Sequence, residues 1–358
     1  MRKIFFSFLF FFIASQLNGK TNDAGFEFRS KIGFLAAHRG VMAHLPRETA
    51  KALEFTYFIH SKGKKAWHIK YRYPTVGATL FIGSVGNKEL LGNYVGLYGF
   101  SELPMLKYKN YEMAFRLGCG LGYTNKIYDP INNPKNVAVS THFNPMMNFA
   151  VKSTYRFKNH SIVLGLDITH FSNGAFKVPN YGINMPYLSL GYAYTFRKAQ
   201  PIEPTEMKFQ KRIELSAMGI YSMKEVMPIG GKKYPVYAIN IAARRFFNQK
   251  AGMEVGLDII SKQAIMAYLP YTQKTQLSII QVGLYATYLV PFDKFHFVFG
   301  MGTYLRDKYK PEDFLYHRIG CRYQFRNGLM ANFSLKTHFA RADYFEFGLG
   351  YTFKTWKK

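Results

Sequence analysis

The sequence predicts an all-β protein, an antiparallel transmembrane β-barrel of the outer-membrane type. Aromatic residues make up 18% of the 358 residues, with 34 Phe and 27 Tyr. The mean hydropathy is nonetheless only -0.14, so apolar and polar residues must alternate finely instead of forming long apolar runs. Strands of a membrane barrel show this alternation because one face meets lipid and the other meets the lumen, with aromatic girdles at both interfaces.

The N-terminus has the features of a secretory signal peptide. Two basic residues, Arg2 and Lys3, precede an apolar run from 4 to 14, and small residues follow it where cleavage would occur. The run is too short to cross a bilayer as a helix, which needs about 20 residues. We therefore expect residues 1–20 to be cleaved on export. No later segment has the pattern of a transmembrane helix, which leaves a barrel as the way to cross a membrane.

About sixteen strand-like segments follow, in two halves of eight. The first eight lie between residues 25 and 196, and the second eight between 209 and 354. A polar stretch with two prolines separates them, which predicts a first domain at 21–200 and a second at 201–358. The strands could close as one barrel or as two eight-stranded barrels. Tandem barrels in one chain are unusual, which favours a single barrel.

Short echoes between the halves suggest that the second is a degenerate repeat of the first. Thr169-His170-Phe171 is matched by Thr337-His338-Phe339, and each triplet shortly precedes the final strand of its half. In the second copy Ala340 stands where Ser172 would be, so the first half would carry the chemistry. Convergent strand composition could produce the same echoes.

The lengths of the connections orient the barrel. Tight turns follow even-numbered strands of each half, and long loops follow odd-numbered ones. Outer-membrane barrels have short periplasmic turns and long outer loops. The seventh strand, predicted at 160–172, therefore runs outward and ends at the outer leaflet.

The end of this strand carries the pattern with the clearest chemistry. With the period of two of a strand, His170 and Ser172 extend an apolar row on one face. An imidazole two positions from a serine on the same face can take the serine proton, which is the first requirement of an activated nucleophile. Asn184, near the start of the eighth strand, has the parity that places it on the same outward face. Asp167 has the opposite parity.

Residues 170–174 (His-Phe-Ser-Asn-Gly), followed by 179–184 (Pro-Asn-Tyr-Gly-Ile-Asn), resemble the active-site hairpin of the outer-membrane lipid A 3-O-deacylases, the PagL family. The resemblance implies a serine esterase that removes an ester-linked acyl chain from lipid A in the outer leaflet, with no cofactor and no metal. It assigns Ser172 as the nucleophile and His170 as the general base and then acid. It places Asn173 in the oxyanion hole, where Gly174 would let backbone amides approach the charge.

The third member of the site departs from the family, which has a glutamate where this chain has Asn184. An amide oxygen can still accept from the imidazole, but it brings no charge to stabilise the imidazolium. Three interpretations stay open: a working Ser-His-Asn variant, a carboxylate supplied from elsewhere, or a barrel that no longer hydrolyses its substrate.

The charge balance indicates an anionic partner. Lys and Arg number 48 against 21 Asp and Glu. The chain has no nucleic-acid-binding motif, so phosphorylated lipid A in the Gram-negative outer membrane suits this excess better than nucleic acid. The competing function is a non-catalytic outer-membrane barrel, a porin or a structural or adhesion protein, with a residual site. The sequence does not decide whether the chain forms a homodimer.

Overall fold

A computed structural model describes residues 23–63, 65–197, 211–268, 272–339 and 341–357. The predicted signal peptide at 1–20 lies outside these residues, as do most of the proline-containing connector and Ala340. The described chain is built mainly of sixteen antiparallel strands with a few short helices, which confirms the all-β barrel class.

The first half forms a closed eight-stranded barrel in which β8 pairs with β1. Where these two strands meet, the pairing runs from Ala24 opposite Arg197 to Gly33 opposite Tyr187, with a shift in register between Ala24 and Gly25. The strands are β1 (Asp23–Gly33), β2 (Ala50–His60), β3 (Thr75–Ser84), β4 (Asn93–Tyr108), β5 (Tyr111–Thr124), β6 (Phe143–Phe157), β7 (His160–Phe171) and β8 (Ile183–Arg197).

The second half forms another closed eight-stranded barrel, in which β16 pairs with β9. Its strands are β9 (Arg212–Glu225), β10 (Lys233–Phe246), β11 (Gly252–Lys262), β12 (Ile280–Phe292), β13 (Phe295–Arg306), β14 (Leu315–Gln324), β15 (Leu329–His338) and β16 (Arg341–Lys357).

Of the two closures that the sequence left open, the chain adopts two eight-stranded barrels, so the preference for a single barrel is wrong and each half closes on itself. The backbone groups of β1 on the side away from β2 pair with β8, and those of β9 on the side away from β10 pair with β16. Closure abolishes the edge strands through which the two sheets could have joined. Eight strands also enclose a lumen that side chains alone can fill, so each half can build its own core.

The outer wall is apolar, as the alternation predicts. On β7 the side chains of Ile162, Leu164, Leu166 and Ile168 are exposed, while Val163 and Asp167 between them are buried. The same pattern on β8 exposes Leu188, Leu190, Tyr192 and Tyr194. An apolar band of this kind is the surface with which barrel strands meet lipid.

The lumen of the first barrel is filled with paired charges. Lys31 Nζ lies 3.0 Å from Glu54 Oε1 and 2.7 Å from Asp167 Oδ1. Lys152 Nζ lies 2.7 Å from Glu27 Oε2 and 2.6 Å from Glu102 Oε1. Charged groups can be buried when they are paired in this way. These side chains make the lumen a packed core, which argues against the porin alternative for this barrel.

The lumen of the second barrel has the same character. Arg318 lies 2.8 Å from Glu346 Oε1 and 3.2 Å from Asp258 Oδ2. Nearby, Lys262 Nζ lies 2.8 Å from Asp343 Oδ1. Both barrels thus bury ion-paired side chains in their lumens.

In the part of the chain that the structure describes, four short helices lie in the connections between strands. They are two 3-10 helices, Gly40–Met42 and Gln263–Ala267, and two α-helices, Ala66–Lys70 and Lys88–Leu91. Within the described ranges no helix has the length and apolar character needed to cross a membrane.

The second barrel does not repeat the outward histidine of the first. His338 is buried in the lumen, where its Nε2 lies 3.1 Å from the Tyr304 hydroxyl, whereas Thr337 beside it is partly exposed. On β7 the order is reversed, with Thr169 inside and His170 outside. Side chains alternate between the two faces of a strand, so the two Thr-His-Phe triplets differ by one residue in register. Corresponding residues of the two triplets therefore point to opposite sides of their barrel walls. The second half as a degenerate repeat stays a prediction.

Candidate active site

Neighbouring strands of the first barrel bring His170 and Asn184 together. Antiparallel pairing of β7 with β8 sets the two residues directly opposite each other, and both are half-buried on the outer face. The residue after His170, Phe171, points inward and is fully buried, with its ring centroid 4.8 Å from that of Tyr94. This inward aromatic packing fixes the end of β7 and so the direction of the imidazole.

The imidazole is held by the amide. His170 Nδ1 lies 2.6 Å from Asn184 Oδ1. An amide oxygen can only accept, so Nδ1 carries the hydrogen, and in the neutral imidazole Nε2 keeps its lone pair. A histidine in this tautomer presents Nε2 as a base. The arrangement is the one that an imidazole needs in order to take a proton from a nearby hydroxyl.

Ser172 lies just beyond the end of β7 and is buried, although the strand period predicted that it would continue the outward row. The chain leaves the sheet after Phe171, and the Ser172 amide donates to the Pro145 carbonyl at 3.2 Å. The Ser172 hydroxyl accepts from Asn180 Nδ2 at 2.9 Å. The loop between β7 and β8 thus covers the serine and determines its surroundings.

Gly182 is the point at which His170 and Ser172 converge. Its φ is +76°, and a Cβ there would lie 2.9 Å from His170 Cε1 and 3.5 Å from Ser172 Cβ. Both side chains therefore face the same small space beside the glycine. That space suits a glycine in two ways, since a side chain would be strained by the backbone conformation and would meet the imidazole.

The predicted oxyanion residues follow the serine directly. The backbone N–H of Asn173 donates to Asn180 Oδ1 at 3.0 Å, and its side-chain Nδ2 donates to Ser140 Oγ at 3.4 Å. Gly174 adopts a φ of +61°, a left-handed conformation that glycine tolerates. The structure thus places Asn173 and Gly174 in the loop at the serine, with the Asn173 amide bound to Asn180.

Two residues of the site had no role in the sequence prediction. Asn180 contacts both Ser172 and the Asn173 amide through one side chain. Its position in the 179–184 motif was the available signal, but a lone amide in a turn has many uses. His38, in the loop after β1, lies with its Nδ1 3.1 Å from Asn184 Nδ2. Nothing local in the sequence indicates that contact.

Asp167 does not serve the imidazole. As its parity predicts, its carboxylate is in the lumen, where it accepts from Lys31 Nζ at 2.7 Å. The barrel wall separates it from the outward face on which His170 lies.

One group of side chains in the second barrel has the composition of a metal site. Ligand atoms of Glu312, His338 and Asp343 lie within 4.8 Å of one another. Lys262 Nζ, however, lies 2.6 Å from Glu312 and 2.8 Å from Asp343, and Lys224 contacts both acids. These ammonium groups already balance the carboxylates, so we read the group as a buried ion-pair cluster.

Two solved structures with a distant resemblance to the chain illustrate the structural comparison. One structure, titled "Asymmetric conductivity of engineered proteins", has 12% identity and a TM-score of 0.19, and the match covers 93% of this chain and all of that one. A triple mutant of the Rhodopseudomonas blastica porin has 12% identity and a TM-score of 0.17 over the same shares. Overlaps this low add nothing to the strand pairing above. No curated protein matches the chain.

Two family models match, one in each barrel. Residues 52–193 match "Lipid A 3-O-deacylase (PagL)", and this range contains β7, β8 and the loop between them. Residues 212–355 match "Acyloxyacyl hydrolase, C-terminal domain". Together the two matches cover most of the chain, in agreement with the resemblance of the hairpin. The chain is therefore similar to the lipid A 3-O-deacylase family, PagL, over most of its first barrel, and to the C-terminal domain of the acyloxyacyl hydrolases over its second.

Proposed function

We propose that this protein is an outer-membrane serine esterase that removes an ester-linked acyl chain from lipid A in the outer leaflet. The observation that carries the proposal is the 2.6 Å contact between His170 Nδ1 and Asn184 Oδ1 on the outer wall, beside the buried Ser172. Both matching families are named for hydrolysis of acyl esters, and the first is named for lipid A.

The position of the site suits a substrate that stays in the membrane. Below His170, the outer face of β7 is a row of four exposed aliphatic side chains, and β8 continues this surface. Acyl chains of a lipid can lie against such a wall without leaving the bilayer. The ester at the head of the chain then meets the strand ends, where His170 and Ser172 lie.

The chemistry follows from the tautomer of His170. With its hydrogen on Nδ1, the imidazole takes the Ser172 proton on Nε2 as Oγ attacks the ester carbonyl. The tetrahedral intermediate then collapses, and Nε2 returns the proton to the departing sugar oxygen of lipid A. Water, deprotonated by the same nitrogen, then attacks the acyl-Ser172 ester. Nε2 returns that proton to Ser172 Oγ as the fatty acid is released, which restores the serine hydroxyl and the neutral imidazole.

The negative oxygen of the intermediate needs donors close to Ser172. We propose that Asn173 and Gly174 supply backbone donors, as the family resemblance implies, and that Asn180 adds its side-chain amide. Asn180 Nδ2 already lies 2.9 Å from Ser172 Oγ, so only a short displacement separates it from the carbonyl oxygen under attack. Amide donors of this kind are a common means of stabilising an oxyanion.

Asn184 takes the place of the acid in this proposal. It orients His170 as a carboxylate would, but it lacks the negative charge that stabilises an imidazolium. We therefore expect turnover that is slower than that of a Ser-His-Glu site. The non-catalytic barrel is the alternative, and the packed lumen of the first barrel weighs against its porin form.

Mass spectrometry of lipid A from a Gram-negative host that expresses the chain tests the proposal. The variants are Ser172→Ala and Asn184→Glu, with Ser161→Ala as the matched control. Ser161 is also buried, but it lies at the opposite end of β7. We expect the parent and Ser161→Ala to remove one acyl group, Asn184→Glu to remove it faster, and Ser172→Ala to leave lipid A unchanged.

The other outcomes separate the alternatives. If Asn184→Glu removes an acyl group from lipid A but the parent does not, the rest of the site is intact and the amide at residue 184 is what prevents hydrolysis. If no version alters lipid A while surface insertion is confirmed, the esterase proposal is refuted and the non-catalytic barrel is supported.

A further inference from the structure

The loop after β1 is held against the start of β8 and carries a second histidine to the site. Backbone bonds continue the β1–β8 pairing beyond Gly33, from the Phe34 amide to the Pro186 carbonyl and from the Ala36 amide to the Asn184 carbonyl at 2.9 Å. The second bond lies two residues before His38. The position of His38 beside Asn184 is therefore set by the sheet.

We propose that His38 is a positioning residue that selects the productive orientation of the Asn184 amide. This inference rests on the esterase proposal above, because it concerns the same site. The observation that carries it is a chain of two hydrogen bonds, from His170 Nδ1 to Asn184 Oδ1 at 2.6 Å and from Asn184 Nδ2 to His38 Nδ1 at 3.1 Å.

The need for such a residue arises from replacing a carboxylate with an amide. Either oxygen of a carboxylate accepts from the imidazole, so rotation of the group changes nothing. An amide has one accepting end and one donating end. If the Asn184 side chain turned over, Nδ2 would donate to His170 Nδ1, and the hydrogen of the neutral imidazole would move to Nε2. The imidazole could then no longer take the serine proton.

His38 opposes that rotation. Its Nδ1 accepts from Asn184 Nδ2, which requires a neutral His38 with its hydrogen on Nε2. In the turned-over orientation, the amide oxygen would face this lone pair and both groups would be acceptors. The His38 lone pair thus favours the orientation in which Asn184 Oδ1 faces His170.

Substitutions at His38 test this role, because the replacement side chains differ in whether they can accept a hydrogen bond from Asn184 Nδ2. His38→Ala leaves water to accept from Asn184, and we expect kcat to fall about three- to tenfold, the factor that one ordinary hydrogen bond represents, with KM unchanged. His38→Gln, which can accept, keeps most of the activity. His38→Lys, which can only donate, loses more than His38→Ala. His44→Ala is the control. His44 lies in the same loop as His38, but its Nε2 contacts the Lys135 carbonyl at 2.8 Å.

A double-mutant cycle with Asn184→Glu gives the sharpest result. A glutamate has no donating end to orient, so His38→Ala should change kcat less than twofold in that background. An equal loss in both backgrounds would show that His38 only supports the loop, and it would overturn the proposal.

The tautomer of His170 gives a readout that does not need activity. In protein labelled with ¹⁵N-histidine, the His170 signals, identified by their loss in His170→Gln, should report the Nδ1–H tautomer in the parent and a larger Nε2–H fraction in His38→Lys. An unchanged tautomer would also overturn the proposal. If the tautomer responds but lipid A is never trimmed, the esterase proposal fails and the positioning role of His38 stands.

Discussion

Replacing Gly182 by alanine tests whether His170 acts from the position that the structure gives it. The new Cβ would lie 2.9 Å from His170 Cε1, whereas carbon atoms attract only from about 3.5 Å. The imidazole must then move by roughly 0.6 Å, the difference between these distances. Such a shift moves the imidazole away from its observed position beside Ser172. Because a misplacement near 1 Å can cost about 100-fold, we expect kcat to fall roughly 10- to 100-fold.

Backbone strain contributes separately and has its own control. Gly182 has a φ of +76°, where an alanine costs roughly 1 to 2 kcal/mol of stability. Gly230, between β9 and β10, has a φ of +79°, and a Cβ there would meet nothing within 4 Å. Gly230→Ala should therefore reproduce the loss of stability without the collision, and deacylation should continue at the parent's rate.

The assay is the initial rate of lipid A deacylation by purified protein in vesicles, followed by mass spectrometry, with urea unfolding of each variant in the same vesicles. A folded Gly182→Ala protein that keeps the parent's rate would refute the reasoning, because the imidazole would then not need its observed position. Equal losses of rate in Gly182→Ala and Gly230→Ala would also refute it, since they would trace the effect to general destabilisation.

Two further substitutions test other parts of the structure. Asn180→Asp keeps the acceptor for the Asn173 amide but loses the donor at Ser172. We therefore expect kcat to fall roughly 100- to 1000-fold in the vesicle assay. An unchanged rate would exclude Asn180 from the oxyanion site. Lys31→Met leaves two buried carboxylates without their shared cation and should lower the free energy of unfolding by about 3 to 5 kcal/mol. Arg47→Met, which breaks the exposed pair with Glu89, should cost less than about 1 kcal/mol in the same urea titration, and a loss equal to that of Lys31→Met would contradict this assignment.

The strands and their facing could be predicted from the sequence because both are local properties. The predicted seventh strand, 160–172, differs from β7 by one residue. Parity along the strand placed His170 and Asn184 on the outer face and Asp167 inside, as the structure has them. Alternation of side chains depends only on the pleat of an extended chain, so it can be read without knowledge of the partner strands.

Closure and the surroundings of the site depended on contacts between distant residues. The sequence alone favoured one barrel, but pairing of β8 with β1 and of β16 with β9 made two, because each first strand found its partner within its own half. Ser172 is buried instead of continuing the exposed row, because the chain leaves the sheet after Phe171 and the loop containing Asn180 covers the serine. His38 reaches Asn184 across 146 residues, through backbone pairing that extends the closed barrel. Local pattern thus pointed to His170, Ser172 and Asn184, whereas closure of the barrel through β1 and β8 brought His38 to them.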